Sequence, residues 1–103
     1  PIALISPDCP SIFIIEGTGL SAKTIANMQE VKARKGPVIA IAPEGIEIPK
    51  EAADDVFRLP LAHEVIRLIL ANLLLQLFAY HFAPLRGFDV DKPRNLAKSV
   101  TVE

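Results

Sequence analysis

Lys98 is the lone lysine of the stretch Pro93 to Glu103, which reads PRNLAKSVTVE. Pro93 stops whatever precedes it, Asn95 is suited to cap a short turn through Leu96, Ala97 and Lys98, and Val100, Thr101 and Val102 form a β-branched run. Chain termini of little apolar character normally fray, whereas Leu96, Ala97, Val100 and Val102 give this one an apolar side with which to dock. A lysine on a docked tail is commonly a solvated surface charge, because Lys is rarely fully buried unless paired. To act as a nucleophilic amine, Lys98 must instead lower its pKa from about 10.4 by desolvation or a nearby positive charge. Residue types and spacing alone leave both readings open.

The other groups capable of chemistry are weaker candidates. Cys9 lies in the breaker-rich loop Ser6-Pro7-Asp8-Cys9-Pro10, which supplies no activating base, so it reads as a bystander thiol. Cys9, His63 and His81 are too scattered for a zinc ligand set, and no metal is expected. Glu44, Glu47, Glu51, Asp54 and Asp55 crowd a polar loop with no apolar wall to raise a carboxyl pKa, so they are expected to form a solvated acidic edge. Gly17 and Gly19 follow an apolar run and precede a helical pattern, the arrangement in which many α/β proteins bind phosphate. No G-x-G-x-x-G or G-K-[ST] accompanies them and Glu16 would repel phosphate, so a plain strand-to-helix turn is expected.

These residues must be carried by a small number of elements. Pro1 to Ile5 is read as a turn of helix opened by proline. Ser11 to Ile15 is a continuous β-branched and aromatic run, the pattern of a strand buried on both faces of a parallel sheet. Ser21 is the expected N-cap of a helix through Lys35, ended by Gly36 and Pro37, with Ala22, Ile25, Met28 and Val31 as its buried stripe. Val38 to Ala42 is a second buried strand, completing a βαβ unit. After the loop from Pro43 to Ala53, Val56 to Leu59 makes a short third strand closed by Pro60.

The longest element is a helix from about His63 to Leu85. It is apolar around most of its circumference, with Glu64, Arg67, Asn72, Gln76 and Tyr80 forming a narrow polar stripe. A helix of this kind lies at the centre of a larger assembly or spans a membrane, and Asn72, Gln76, His81 and Pro84 argue against lipid. His63 is expected to be a capping or loop residue, and His81 to complement the helix dipole.

With 103 residues the chain fits one small domain with one core. Half of its residues are hydrophobic and its net charge is -1, so nothing draws it electrostatically to nucleic acid or an anionic membrane. A single cysteine suits a reducing compartment, and a cytoplasmic location is expected. Three strands and two helices amount to about half of a doubly wound domain, and both faces of so small a parallel sheet need covering. A partner is therefore required: further polypeptide of its own, or another copy.

The run GFDVDKPRNLAKSVTVE, from Gly87 to Glu103, closely resembles the carboxyl terminus of the glutamine-fructose-6-phosphate aminotransferase (isomerising) family, also called glucosamine-6-phosphate synthases. EVKAR at Glu30 to Arg34 and QLFAYH at Gln76 to His81 resemble the same family at the same distances from the end. The resemblance implies an α/β fold, a partial doubly wound, flavodoxin-like parallel sheet of the sugar isomerase (SIS) type. It implies that residues 1–87 are the carboxyl portion of the second SIS domain and that residues 88–103 are an active-site tail.

In that family a glutaminase domain releases ammonia from glutamine, and the isomerase joins it to fructose 6-phosphate to give glucosamine 6-phosphate, with no cofactor. The family's tail lysine, matched by Lys98, is assigned to sugar ring opening or imine formation. The adjacent alanine, matched by Ala97, contacts the sugar, and Leu96 and Val100 match positions near the ammonia passage. The implied partners are the sugar phosphate, the rest of the isomerase domain, the glutaminase domain and further copies in a homo-oligomer.

The family's glutaminase cysteine and its serine- and threonine-rich phosphate loop are absent here, and its isomerase glutamate and histidine belong to a segment that would precede Pro1. The segment alone is therefore expected to be inactive. The competing expectation, from a different class, is a non-catalytic sugar-phosphate-binding or oligomerisation module in which the tail only packs.

Overall fold

The computed structural model describes residues 2–17 and 19–92. The elements in chain order are a 3-10 turn at Ile2–Leu4, β1 (Ser11–Ile14), α1 (Ser21–Ala33), β2 (Val38–Pro43), β3 (Asp55–Leu59) and α2 (Glu64–Leu85). The sheet is parallel throughout, in the order β1-β2-β3. Ser11 to Ile14 pair with Val38 to Ile41, and Ile39 to Pro43 pair with Asp55 to Leu59. This is the α/β arrangement expected of two apolar runs joined through a helix. By its internal contacts the chain divides into two compact units, Pro1–Ala71 and Asn72–Glu103, with the boundary inside α2.

In the first unit the core gathers on one face of the sheet. Met28 and Val31 of α1 meet Val38, Ala40 and Ala42 of β2, with Ile15 and Ala52 closing the cluster and Phe13 and Ile25 packed against it. The period-2 alternation of a strand sends Phe13 and Ile15 inward and Ile12 and Ile14 to the opposite face. There Ile12 is 37% and Ile14 40% exposed. The expectation that β1 is buried on both faces is thus corrected. Among the described residues β1 pairs with β2 alone, and its second face is left half-open around Ile12 and Ile14, because burial depends on neighbours, which a continuous apolar run invites but cannot supply. β2, paired on both sides, keeps every residue buried or nearly so.

Several boundaries move by a residue or two. Leu20, not Ser21, takes the N-cap position of α1, in helical conformation and without a side-chain cap bond, and Ser21 begins the helix. Ala22 is exposed rather than part of the buried stripe. Pro43 ends β2 instead of opening the loop, and Asp55 begins β3 one residue early. His63 does cap α2, its Nδ1 accepting from the Val65 amide at 3.4 Å.

Helix α1 stops at Ala33, short of the Lys35 expected, through a Schellman motif. The Lys35 amide donates to the Lys32 carbonyl at 2.8 Å and the Gly36 amide to the Val31 carbonyl at 3.1 Å. That motif requires a left-handed residue, and Lys35 supplies it with φ 62. Gly36 is glycine for another reason: a Cβ there would lie 2.6 Å from Ile5 Cγ2 and 2.9 Å from Val31 Cγ1. In the second unit α2 ends through the same motif with glycine in the left-handed place. Gly87, at φ 75, donates to the Pro84 carbonyl at 2.9 Å, and the Phe88 amide donates to the Ala83 carbonyl at 2.9 Å.

The loop acids are all exposed, as expected of a solvated edge, and one of them is also tied into the fold. Asp54 accepts from the Val38 amide through Oδ2 at 2.7 Å and from Lys32 Nζ through Oδ1 at 2.5 Å. Its own amide donates to the Val38 carbonyl at 2.8 Å, so one residue ties α1, the start of β2 and the approach to β3 together. The Lys32 bond, then the Val38 amide, hold the Asp54 carboxyl below its ordinary range, despite an opposing desolvation cost. The sequence placed Asp54 on an open loop because its partners lie 16 and 22 residues away.

Two predictions follow from the turn and the latch. Lys35→Gly should raise stability by about 1 kcal/mol, the typical cost of a left-handed non-glycine residue, while Gly36→Ala should lower it; urea unfolding midpoints report both. Because the folded-state pKa of Asp54 is depressed, its stabilisation is present above the unfolded value of 3.8 and is lost as pH falls through the folded value. Asp54→Asn should therefore flatten the acid limb of the stability-against-pH curve, and an unchanged limb would remove Asp54 from this role.

Candidate functional site

In an open parallel sheet, ligands meet the loops at the carboxyl ends of the strands. Here β1 runs out through Ile14, Ile15 and Glu16 into Gly17. The positive φ of 78 at Gly17 makes the turn that a side-chain-bearing residue would resist. A Cβ on Gly17 would sit 3.5 Å from Pro43 Cγ and 3.6 Å from Ile46 Cδ1, which places the β1 exit against the β2 exit. Both exits are held by arginines donating to backbone carbonyls. Arg58 of β3 gives one Nη1 to the Ile46 carbonyl at 2.7 Å and the Pro43 carbonyl at 3.3 Å, and Arg67 of α2 gives Nη2 to the Glu16 carbonyl at 3.0 Å. The Glu44 amide completes the frame by donating to the Leu59 carbonyl at 2.9 Å.

Beside this frame, within the first unit, lies a cavity of about 190 Å³. Its floor is apolar, from Ile14, Ile15, Leu59, Leu68 and Ala71, and its polar groups are Glu16, Glu64 and Arg67. Arg67 forms no ion pair with either glutamate; among the described residues the ion pair is Lys32 with Asp54. Arg67 Nε is buried and has no hydrogen-bond partner. The site thus carries one cation and two carboxylates beside an apolar floor. A second, shallower groove runs between Ala22, Ile25, Ala26 and Gln29 of α1 and the segment Glu47 to Lys50, which accounts for the exposure of Ala22.

The residues that sequence reasoning singled out are not gathered here. Lys98, Ala97, Leu96 and Val100 lie outside the described residues. Cys9 is an exposed free thiol and His81 is exposed, its ring edge-on to Tyr80 at 5.2 Å. Among the described residues no cluster of histidine, cysteine and carboxylate side chains suits a metal ion. Arg58 and Arg67 were overlooked as frame residues. The available signal was an arginine inside an apolar run, one in a strand and one in a helix, where a charge persists only if something accepts its protons.

The SIS-domain family model matches residues 1–86. The chain belongs to the SIS-domain family. Curated relatives of this SIS segment include the glutamine--fructose-6-phosphate aminotransferase [isomerizing] of Chlorobaculum tepidum, 50% identical over 103 residues, and that of Bacteroides thetaiotaomicron, 48% identical over 103 residues. Both matches cover 100% of this chain and 17% of the relative, so the segment spans about a sixth of the length of these proteins. Among solved structures, the C-terminal domain of glucosamine-fructose-6-phosphate aminotransferase from Francisella tularensis superimposes with a TM-score of 0.79 at 29% identity. The superposition covers 87% of this chain and 26% of that one. The α/β fold and SIS assignment expected from the sequence therefore hold.

The two arginines of this SIS segment should respond differently to truncation. Arg58→Met loses two hydrogen bonds that Nη1 donates to carbonyls and should cost about 1 kcal/mol. Arg67→Met loses one bond but also removes the unpartnered Nε, a group whose burial costs about 1–3 kcal/mol, and should be close to neutral. Equal losses in chemical unfolding would show that Arg67 Nε carries no penalty.

Proposed function

We propose that this chain is the carboxyl-terminal part of the isomerase domain of a glutamine–fructose-6-phosphate aminotransferase, contributing to the formation of glucosamine 6-phosphate from fructose 6-phosphate and glutamine-derived ammonia. The observation that carries the reading is identity of about half over all 103 residues to enzymes of that name, tail included. The SIS match over residues 1–86 supports a sugar-phosphate substrate at the level of the domain type.

Within this reading Lys98 is the reacting side chain. Its unprotonated amine attacks the carbonyl carbon of the open-chain sugar, and loss of water leaves an imine; alternatively the same amine moves the proton that opens the ring. Either use requires a pKa lowered from about 10.4, by desolvation or a nearby positive charge. Ala97 contacts the sugar, and Leu96 and Val100 lie near the route by which ammonia arrives. Most of the sugar site is built by polypeptide outside this chain, so the segment alone does not turn over. The reading takes residues 88–103 as the tail and 1–87 as domain, and places the enzyme in the cytoplasm.

The exposed surface of α2 supports the remaining partners. By length and composition the helix could cross a membrane, with mean hydropathy 1.6, and only 6% of its most apolar stretch is buried within this chain. Asn72, Gln76 and His81 lie on it, and Pro84 interrupts its last turn. These polar groups disfavour lipid and favour cover by protein: the rest of the isomerase domain, the glutaminase domain and further copies in a homo-oligomer.

In the full-length enzyme, Lys98→Ala should abolish glucosamine 6-phosphate formation while leaving glutamine hydrolysis intact, each followed separately by product assay. Amination that survives the change would overturn the assignment of Lys98. Sugar-phosphate binding unaffected by the change, in a protein with no amination to lose, would favour a binding or assembly module instead.

A further inference from the structure

We draw no further inference here: the strongest candidate, the cavity between the carboxyl end of β1, Leu59 and the first two turns of α2, has among the described residues a single buried unpartnered side-chain atom, an Arg67 Nε sealed from solvent, and nothing in the structure shows what fills its apolar floor.

Discussion

Burial of β2 is the constraint on which the first unit depends. β2 is paired on both sides, and Val38, Ala40 and Ala42 are wholly enclosed. A strand so placed offers only small and β-branched side chains to its neighbours, so α1 can approach closely and seat Met28 and Val31 against it. Asp54 secures the arrangement at the amino end of the strand. Its carboxylate takes the Val38 amide that no strand partner uses and is balanced by Lys32 from α1. A helix end, a strand start and a loop are thereby joined through one side chain that remains largely solvated.

At the other end of the sheet, order comes from backbone carbonyls rather than from charge pairs. Arg58 and Arg67 each donate to carbonyl oxygens at strand exits, where no further ladder bonds are available. The planar guanidinium suits this work, since it can satisfy more than one acceptor from a fixed position. The result is a rim in which Gly17, Pro43 and Ile46 lie close together at the end of the sheet where parallel-sheet proteins present ligand-binding loops.

The apolar surface left over is as informative as the core. Ile12 and Ile14 on β1, Phe57 on β3 and most of α2 stay open to solvent. A parallel sheet is ordinarily covered on both faces. The relatives this chain matches are much longer, and it spans 17% of them.

How much of this was legible beforehand follows from the range of the interactions involved. The βαβ order, the three strands, the long apolar helix and the His63 cap were readable because hydrophobic period and local capping act over a few residues. The readings proposed for Lys98 and Ala97 rest on the resemblance of the tail alone, since neither spacing nor composition singles out either residue. Tertiary structure alone decided the rest. Whether Ile12 faces core or solvent depends on a neighbouring layer. That Asp54 is a latch depends on Lys32 and Val38, distant in the chain, and Arg67 meets the Glu16 carbonyl across 51 positions. That the tight position is Gly36, where the backbone approaches Ile5 and Val31, while Lys35 takes the left-handed turn, shows only once the chain is folded. Sequence determines what each segment prefers locally; only packing decides which of those preferences is overruled, because the contacts that overrule them come from elsewhere in the chain.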